Sequence, residues 1–309
     1  MIEFLQHLVN GLSVGTIYAL IALGYTMVYG VLKLINFAHG DVYMVGAFAG
    51  YYLANLFGLD ARPSAVGAFA VTLGAMAICG LLGFLIERLA YRPLRHRPRL
   101  TALITAIGVS FLLEYGFQLR PWPFLPIEFP PGPTPRFFPE IVAHRQWDLW
   151  GIALSNYDVV GLLVAFALML GLQAIVYRTR FGTAMRAVSF DPKIAGLMGI
   201  AVDRVIAGTF VLGSALAAAA GILTAVPRPK IEPLFGLMSG LKAFVAAVLG
   251  GIGSVPGAMV GGLVLGLAEE YVASYTASSY RDAIAFTILI LVLLLKPEGL
   301  FGRATVEKV

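Results

Sequence analysis

Asn36, His39 and Asp41 fall within six residues, in the stretch INFAHGD at 35–41, between long apolar runs. They offer a neutral amide, an imidazole that titrates near neutral pH and a carboxylate. Such a set can cap a helix, or it can line a polar path through an apolar medium. The spacing predicts a helix that begins at Phe37 with Asn36 as its N-cap, because an asparagine side chain accepts from the free N–H groups of a first turn. Asp41 then lies near the positive end of the helix dipole. If that helix starts inside the protein, its first turn faces a wet cavity that a solute crosses. If it starts at the surface, the three residues simply cap it, and both possibilities stand at this point.

A second polar break, LGGIGSVPGAMVGG at 249–262, has the same character. Gly250, Gly251 and Gly253 loosen the backbone, Ser254 is placed to cap, and Pro256 suits an opening turn. Each half of the chain then holds one broken or re-entrant helix followed by a small-residue helix, GAFAG at 46–50 and GAMVGG at 257–262. Interrupted segments in corresponding halves point to a translocation path. Asn36, His39, Asp41, Gly250, Gly253 and Ser254 are the residues expected to line it. Close helix packing through glycine is compatible with this.

Catalytic chemistry has little to stand on. GLMSG at 236–240 is a near-miss to the serine motif of intramembrane rhomboid proteases, yet His7, His39, His96 and His144 all lie upstream of it. An intramembrane enzyme is the alternative from another class. The sequence has no H-E-x-x-H, no Cys/His cluster with metal spacing and no G-x-x-x-x-G-K-[ST] loop for a nucleotide phosphate. No metal or cofactor is expected. Ionisable residues are expected near the ends of spans (Glu114, Asp158, Glu269, Glu270), which speaks against ion coupling and for an external motor. Cys79 is the one cysteine, in an apolar run, and reads as a small packing residue.

The elements that carry these residues follow from composition. Of 309 residues 59% are hydrophobic and only 13% charged, unlike any ordinary soluble domain. Windows of the roughly 20 residues needed to cross a ~30 Å hydrocarbon layer recur from end to end. They are too long for the alternating strands of a membrane barrel. The chain is therefore predicted to be an all-α, polytopic transmembrane bundle of about eight to nine hydrophobic segments in two pseudo-repeat halves. The spans fall at 8–32, 37–57, 65–86, 100–119, 157–177, 205–226, a Gly-broken pair across 241–272, and 283–295. The N-terminus, without a basic leader, reads as an uncleaved first helix.

Lys and Arg accumulate on the cytoplasmic side of short connections. The loop 87–99 carries Arg88, Arg92, Arg95, Arg97 and Arg99 against Glu87, and 178–204 carries Arg178, Arg180, Arg186, Lys193 and Arg204. Both are expected inside, as is the end of the last helix, with the Pro-rich loop 120–156 and the N-terminus outside. The net charge of +5 then reflects topology and needs no nucleic-acid partner. Domain organisation is a single transmembrane unit over 1–309: an N-terminal half at 1–119, the external loop, and a C-terminal half at 157–309. In the stretch 186–199, RAVSFDPKIAGLMG, Asp191 caps and Pro192 opens a short helix that Gly199 ends. It is either a surface on which a motor pushes or a cover for the bundle end.

The segments GLSVGTIYALIALGYTMVYGVLKLINFAHGDVYMVGAF, AGLMGIAVDRVIAGTFVLGSALAAAAGIL, FVAAVLGGIGSVPGAMVGGLVLGLAE and KPEGLFG resemble, in order, the permease subunit of bacterial branched-chain amino-acid ABC importers, the shorter of the two partner permeases. The resemblance covers well over half the chain, and the loop at 121–139, longer and richer in Pro, is its main departure. It implies a non-catalytic, multi-pass protein of the inner membrane that works with a second related permease, two ATP-binding subunits and a periplasmic binding protein. By the same resemblance 186–199 is similar to the coupling loop of ABC permeases, with Arg186, Asp191, Lys193, Ala195 and Gly199 facing the ATPase. The substrate is implied to be a branched-chain or related amino acid. Urea or amide permeases of the same superfamily are the rival.

Overall fold

The computed structural model describes residues 2–95, 97–123, 128–149 and 151–302. His96, Arg303 and residues 124–127 of the Pro-rich loop lie outside the described residues. The first helices are α1 (Ile2–Leu32), α2 (His39–Leu56) and α3 (Ala65–Ile86), the last prolonged by a π turn at Glu87–Tyr91 and a 3₁₀ turn at Arg92–Leu94. After α4 (Arg99–Phe117) come three short strands, β1 (Arg136–Phe137), β2 (Gln146–Leu149) and β3 (Ile152–Ser155). The second half runs α5 (Asn156–Arg178), α6 (Arg180–Phe190), α7 (Pro192–Leu197), α8 (Val202–Ala225), β4 (Lys230–Ile231), α9 (Phe235–Gly250), α10 (Val255–Tyr275) and α11 (Tyr280–Leu295).

Among the described residues six helices are long and apolar enough to cross a membrane: Ile2–Leu32, Ala65–Leu94, Leu100–Phe117, Asn156–Arg178, Val202–Ala225 and Val255–Tyr275. The shorter or more polar α2, α9 and α11 complete the expected bundle. α1 and α8 are mostly buried, whereas α4 and α5 turn most of their side chains outward, so the two former make the centre and the two latter the rim. α1 and α10 run side by side with small residues between them. A Cβ on Gly15 would stand 2.9 Å from the Leu263 Cα, and one on Gly262 would overlap Ala19. Such seams let backbones approach where apolar burial alone cannot drive association in lipid.

Local chemistry starts and stops the helices. Ser155 and Asp158 form a capping box on α5, Thr179 caps α6, and Ser254 accepts from Gly257 N at the start of α10. Arg95 Nη1 reaches Asp203 Oδ1 at 2.6 Å, and Arg92 pairs with the same carboxylate, so the two basic segments meet at one end of the bundle. At the other end Gln6 exchanges hydrogen bonds with the Ala153 backbone at 2.8 and 3.1 Å, and β1 pairs antiparallel with β4. The N-terminus and the Pro-rich loop are thus neighbours, at the end opposite Arg92 and Arg95.

Candidate functional site

The chain leaves α1 through Lys33 in a left-handed conformation (φ 55°) and turns back into the bundle. Asn36 is not the N-cap expected of it. α2 begins at His39, its cap position is Ala38, and no side chain caps it. Instead Asn36 Oδ1 accepts from the Tyr91 hydroxyl at 2.9 Å, both residues being buried. Only the Asn36 backbone oxygen serves the turn, accepting from His39 N at 3.1 Å. The physical reason is that residues 36–38 form a turn of their own before the helix, which leaves the amide free to meet the π turn after α3.

The first turn of α2 sits deep. The His39 ring lies edge-on to Tyr25, with centroids 4.9 Å apart, and fills the space left by Gly24, where a Cβ would overlap it. Gly24 stands eight residues before the end of α1, roughly 12 Å at 1.5 Å per residue. Beside it Cys79, midway along Ala65–Leu94, approaches the Val42 carbonyl at 3.7 Å. α2 is therefore a helix that starts inside the protein. His39 Nε2 is buried without a hydrogen-bond partner.

Two residues on, Asp41 Oδ2 accepts from Ser110 Oγ of α4 at 2.5 Å. Glu114, the next turn of α4, brings a second carboxyl within hydrogen-bonding range of Asp41, and its Oε1 has no partner among the described residues. These groups open on a cavity of about 180 Å³ between α1, α2, α4 and α9, walled by Tyr25, Phe37, Phe111 and Leu237. Gly250, Gly253 and Ser254 do not line it. They form the turn between α9 and α10 at the basic end, where Gly251 and Gly253 adopt φ 99° and 98° and the C-terminal segment bonds back through Leu300 N and Phe301 N. Positive φ is what glycine alone adopts freely.

Ionisable groups are not confined to the ends of spans, where the sequence analysis expected them, since Lys242 lies midway along α9. Lys242 of α9 is buried and pairs with Glu269 at 3.1 Å and Asp282 at 2.6 Å, while the Tyr18 hydroxyl donates to Glu269 at 2.9 Å. Glu270 is held by Arg281 at 2.9 Å and by Asn10 at 3.2 Å. The charges are tolerated because they are paired across four helices. Lys242 standing alone in an apolar run, one helix before the Glu269 and Glu270 already noted, is the signal that could have found this pairing.

At the basic end α6 and α7 meet at Asp191, whose Oδ1 accepts from Lys193 N at 2.7 Å and Ile194 N at 3.0 Å. Gly199 (φ 82°) ends the segment. Of the residues expected to face a motor, Arg186, Lys193 and Gly199 are exposed and Asp191 is half-buried. Ala195 is buried inward, and Arg186 folds back onto the Val176 carbonyl and the Tyr177 ring. The outward tips are ones the sequence did not single out: Phe190 is 90% exposed, Leu197 88% and Met198 79%. Apolar side chains this exposed at the polar end of a membrane bundle are what a contact with another protein or with the membrane surface would cover.

The family described as branched-chain amino acid transport system, permease component, matches residues 7–293. The high-affinity branched-chain amino acid transport system permease protein BraD of Pseudomonas aeruginosa is 45% identical, over 99% of this chain and 98% of its own length. The corresponding LivH of Escherichia coli is 44% identical over the same shares. A probable branched-chain amino acid transport permease, LivH of Methanocaldococcus jannaschii, is 27% identical over 92% of this chain and 88% of its own.

Proposed function

The chain belongs to the family of permease components of branched-chain amino acid transport systems, and we propose that it carries leucine, isoleucine, valine or a close relative through the membrane. It is a multi-pass protein of the inner membrane and a non-catalytic subunit of an ABC importer. The observation that supports the substrate is 44–45% identity, over nearly the whole of both chains, to relatives named for high-affinity branched-chain amino acid transport. ATP is hydrolysed by its partners.

The assembly would comprise a second related permease, two ATP-binding subunits and a periplasmic binding protein, with lipid around α4 and α5. The basic end faces the cytoplasm and the Pro-rich end the periplasm, in keeping with the segregation of Arg and Lys. The two halves, 1–119 and 157–309, frame a path that passes Asn36, His39 and Asp41 and leaves by the Gly250–Gly253–Ser254 turn. The α6–α7 corner, with Arg186, Asp191, Lys193, Ala195 and Gly199 shaping it, docks on an ATPase subunit. The apolar tips there are what a groove in that subunit would bury.

The test is complementation. Expressed with its partners in cells deprived of their own branched-chain amino acid uptake, the chain should restore leucine accumulation and leave urea uptake unchanged. Restoration of urea uptake alone would replace the substrate.

A further inference from the structure

Five carboxyls are buried among the described residues: Asp41, Glu87, Glu114, Glu269 and Glu270. Three of them have a cation in contact, since Arg95 pairs with Glu87, Lys242 with Glu269 and Arg281 with Glu270. Asp41 and Glu114 have none among the described residues, and these two face each other in one cavity. They come from different helices and meet only because α2 starts inside the bundle. Ser110 orients Asp41, which leaves the second Glu114 oxygen, 3% exposed as a residue and without a partner, lining the cavity.

Two carboxylates this close repel strongly at low dielectric, so the pair either shares a proton or takes up a cation, which removes that cost. The rest of the wall decides which cation. A dehydrated metal ion asks for six or more oxygens, whereas here two carboxyls stand against Phe37, Ile107, Phe111, Leu237 and Leu241. Aromatic rings and aliphatic side chains suit a cation that carries hydrocarbon with it. A primary ammonium has three donors to share between two carboxyls, and a branched aliphatic chain beside it would fill the apolar side.

We propose that Asp41 and Glu114 receive the ammonium group of the transported amino acid during its passage, with Ser110 positioning Asp41. This rests on the reading that the chain transports amino acids. The site distinguishes an amino acid from its oxo acid, which has the same side chain and carboxylate but no ammonium.

The test uses the complete transporter, with its partner permease, ATPase subunits and binding protein, in proteoliposomes. Glu114→Gln and Asp41→Asn should each raise the KM for leucine roughly ten- to hundredfold, the loss expected for a hydrogen bond to a charged group. Glu114→Asp should recover part of it. In the unaltered complex, a hydrophobic carbodiimide should modify Glu114, as mapped by mass spectrometry. Leucine should slow the modification, and neither 2-oxo-4-methylpentanoate nor sodium alone should do so. Unchanged KM in both neutral variants, or equal protection by leucine and its oxo acid, overturns the ammonium site. Protection by sodium alone overturns it in favour of an inorganic cation. A wild-type complex that takes up no branched-chain amino acid overturns the transport reading itself, a result separate from these.

Discussion

The Lys242 ammonium nitrogen lies 3.1 Å from a Glu269 oxygen, with both side chains almost wholly buried between α1, α9 and α10. An ion pair taken out of water stabilises little by comparison with an apolar pair, but removing one partner strands a charge. Lys242→Ala should therefore destabilise the protein by about 3–5 kcal/mol. Lys242→Met with Glu269→Gln should recover most of that loss. Thermal unfolding in detergent checks both, and a double variant no more stable than the single would show that Lys242 matters through something other than this pair.

Tyr91 and Asn36 form a second buried pair, neutral this time, at 2.9 Å. Tyr91→Phe leaves the Asn36 amide oxygen without its donor, a cost of about 1–3 kcal/mol. Because the Asn36 side chain caps nothing, Asn36→Ala in the Tyr91→Phe background should add little more. A double-mutant cycle on unfolding free energy measures the coupling. Additive losses would restore the capping role.

Much of this arrangement was legible in the sequence, and the boundary between what was and was not is physical. Hydrophobic windows placed the spans, since covering backbone in lipid demands long apolar helices. Asp191 and Ser254 announced helix starts, because a cap acts on N–H groups two or three residues away. Asn36 looked like a third case, but its partner lies fifty-five positions on, in a π turn that no local pattern signals. The meeting of Asp41 with Ser110 and Glu114 was likewise hidden, because helix period tells which residues share a face and not which helix that face meets. The outward tips Phe190, Leu197 and Met198 passed as ordinary apolar residues of a membrane protein until their exposure was seen.

Sidedness is open to chemical labelling. In a Cys79→Ala background, Phe137→Cys places a thiol at an exposed site on β1, and Met198→Cys places one beside α7. An impermeant maleimide applied to intact cells should label the first and spare the second. The opposite pattern would invert the topology.

Coupling rests on the α6–α7 corner. Leu197→Asp and Met198→Asp alter exposed side chains, so the permease itself should change in stability by less than about 0.5 kcal/mol. Co-purification with the ATPase subunits and leucine uptake should both fall. Gly199→Val forces a β-branched residue into φ 82° and should weaken the same contact by distorting the corner. Normal uptake in all three variants would reduce the corner to a surface.

The most direct measurement is ATP hydrolysis by the reconstituted complex in proteoliposomes, followed together with leucine entry as loaded binding protein is added. Leucine-loaded binding protein should raise the hydrolysis rate and drive accumulation inside the vesicles, and Leu197→Asp in this chain should abolish both. Hydrolysis that ignores the loaded binding protein, with no leucine accumulated by the wild-type complex, would contradict the assignment of this chain as the permease.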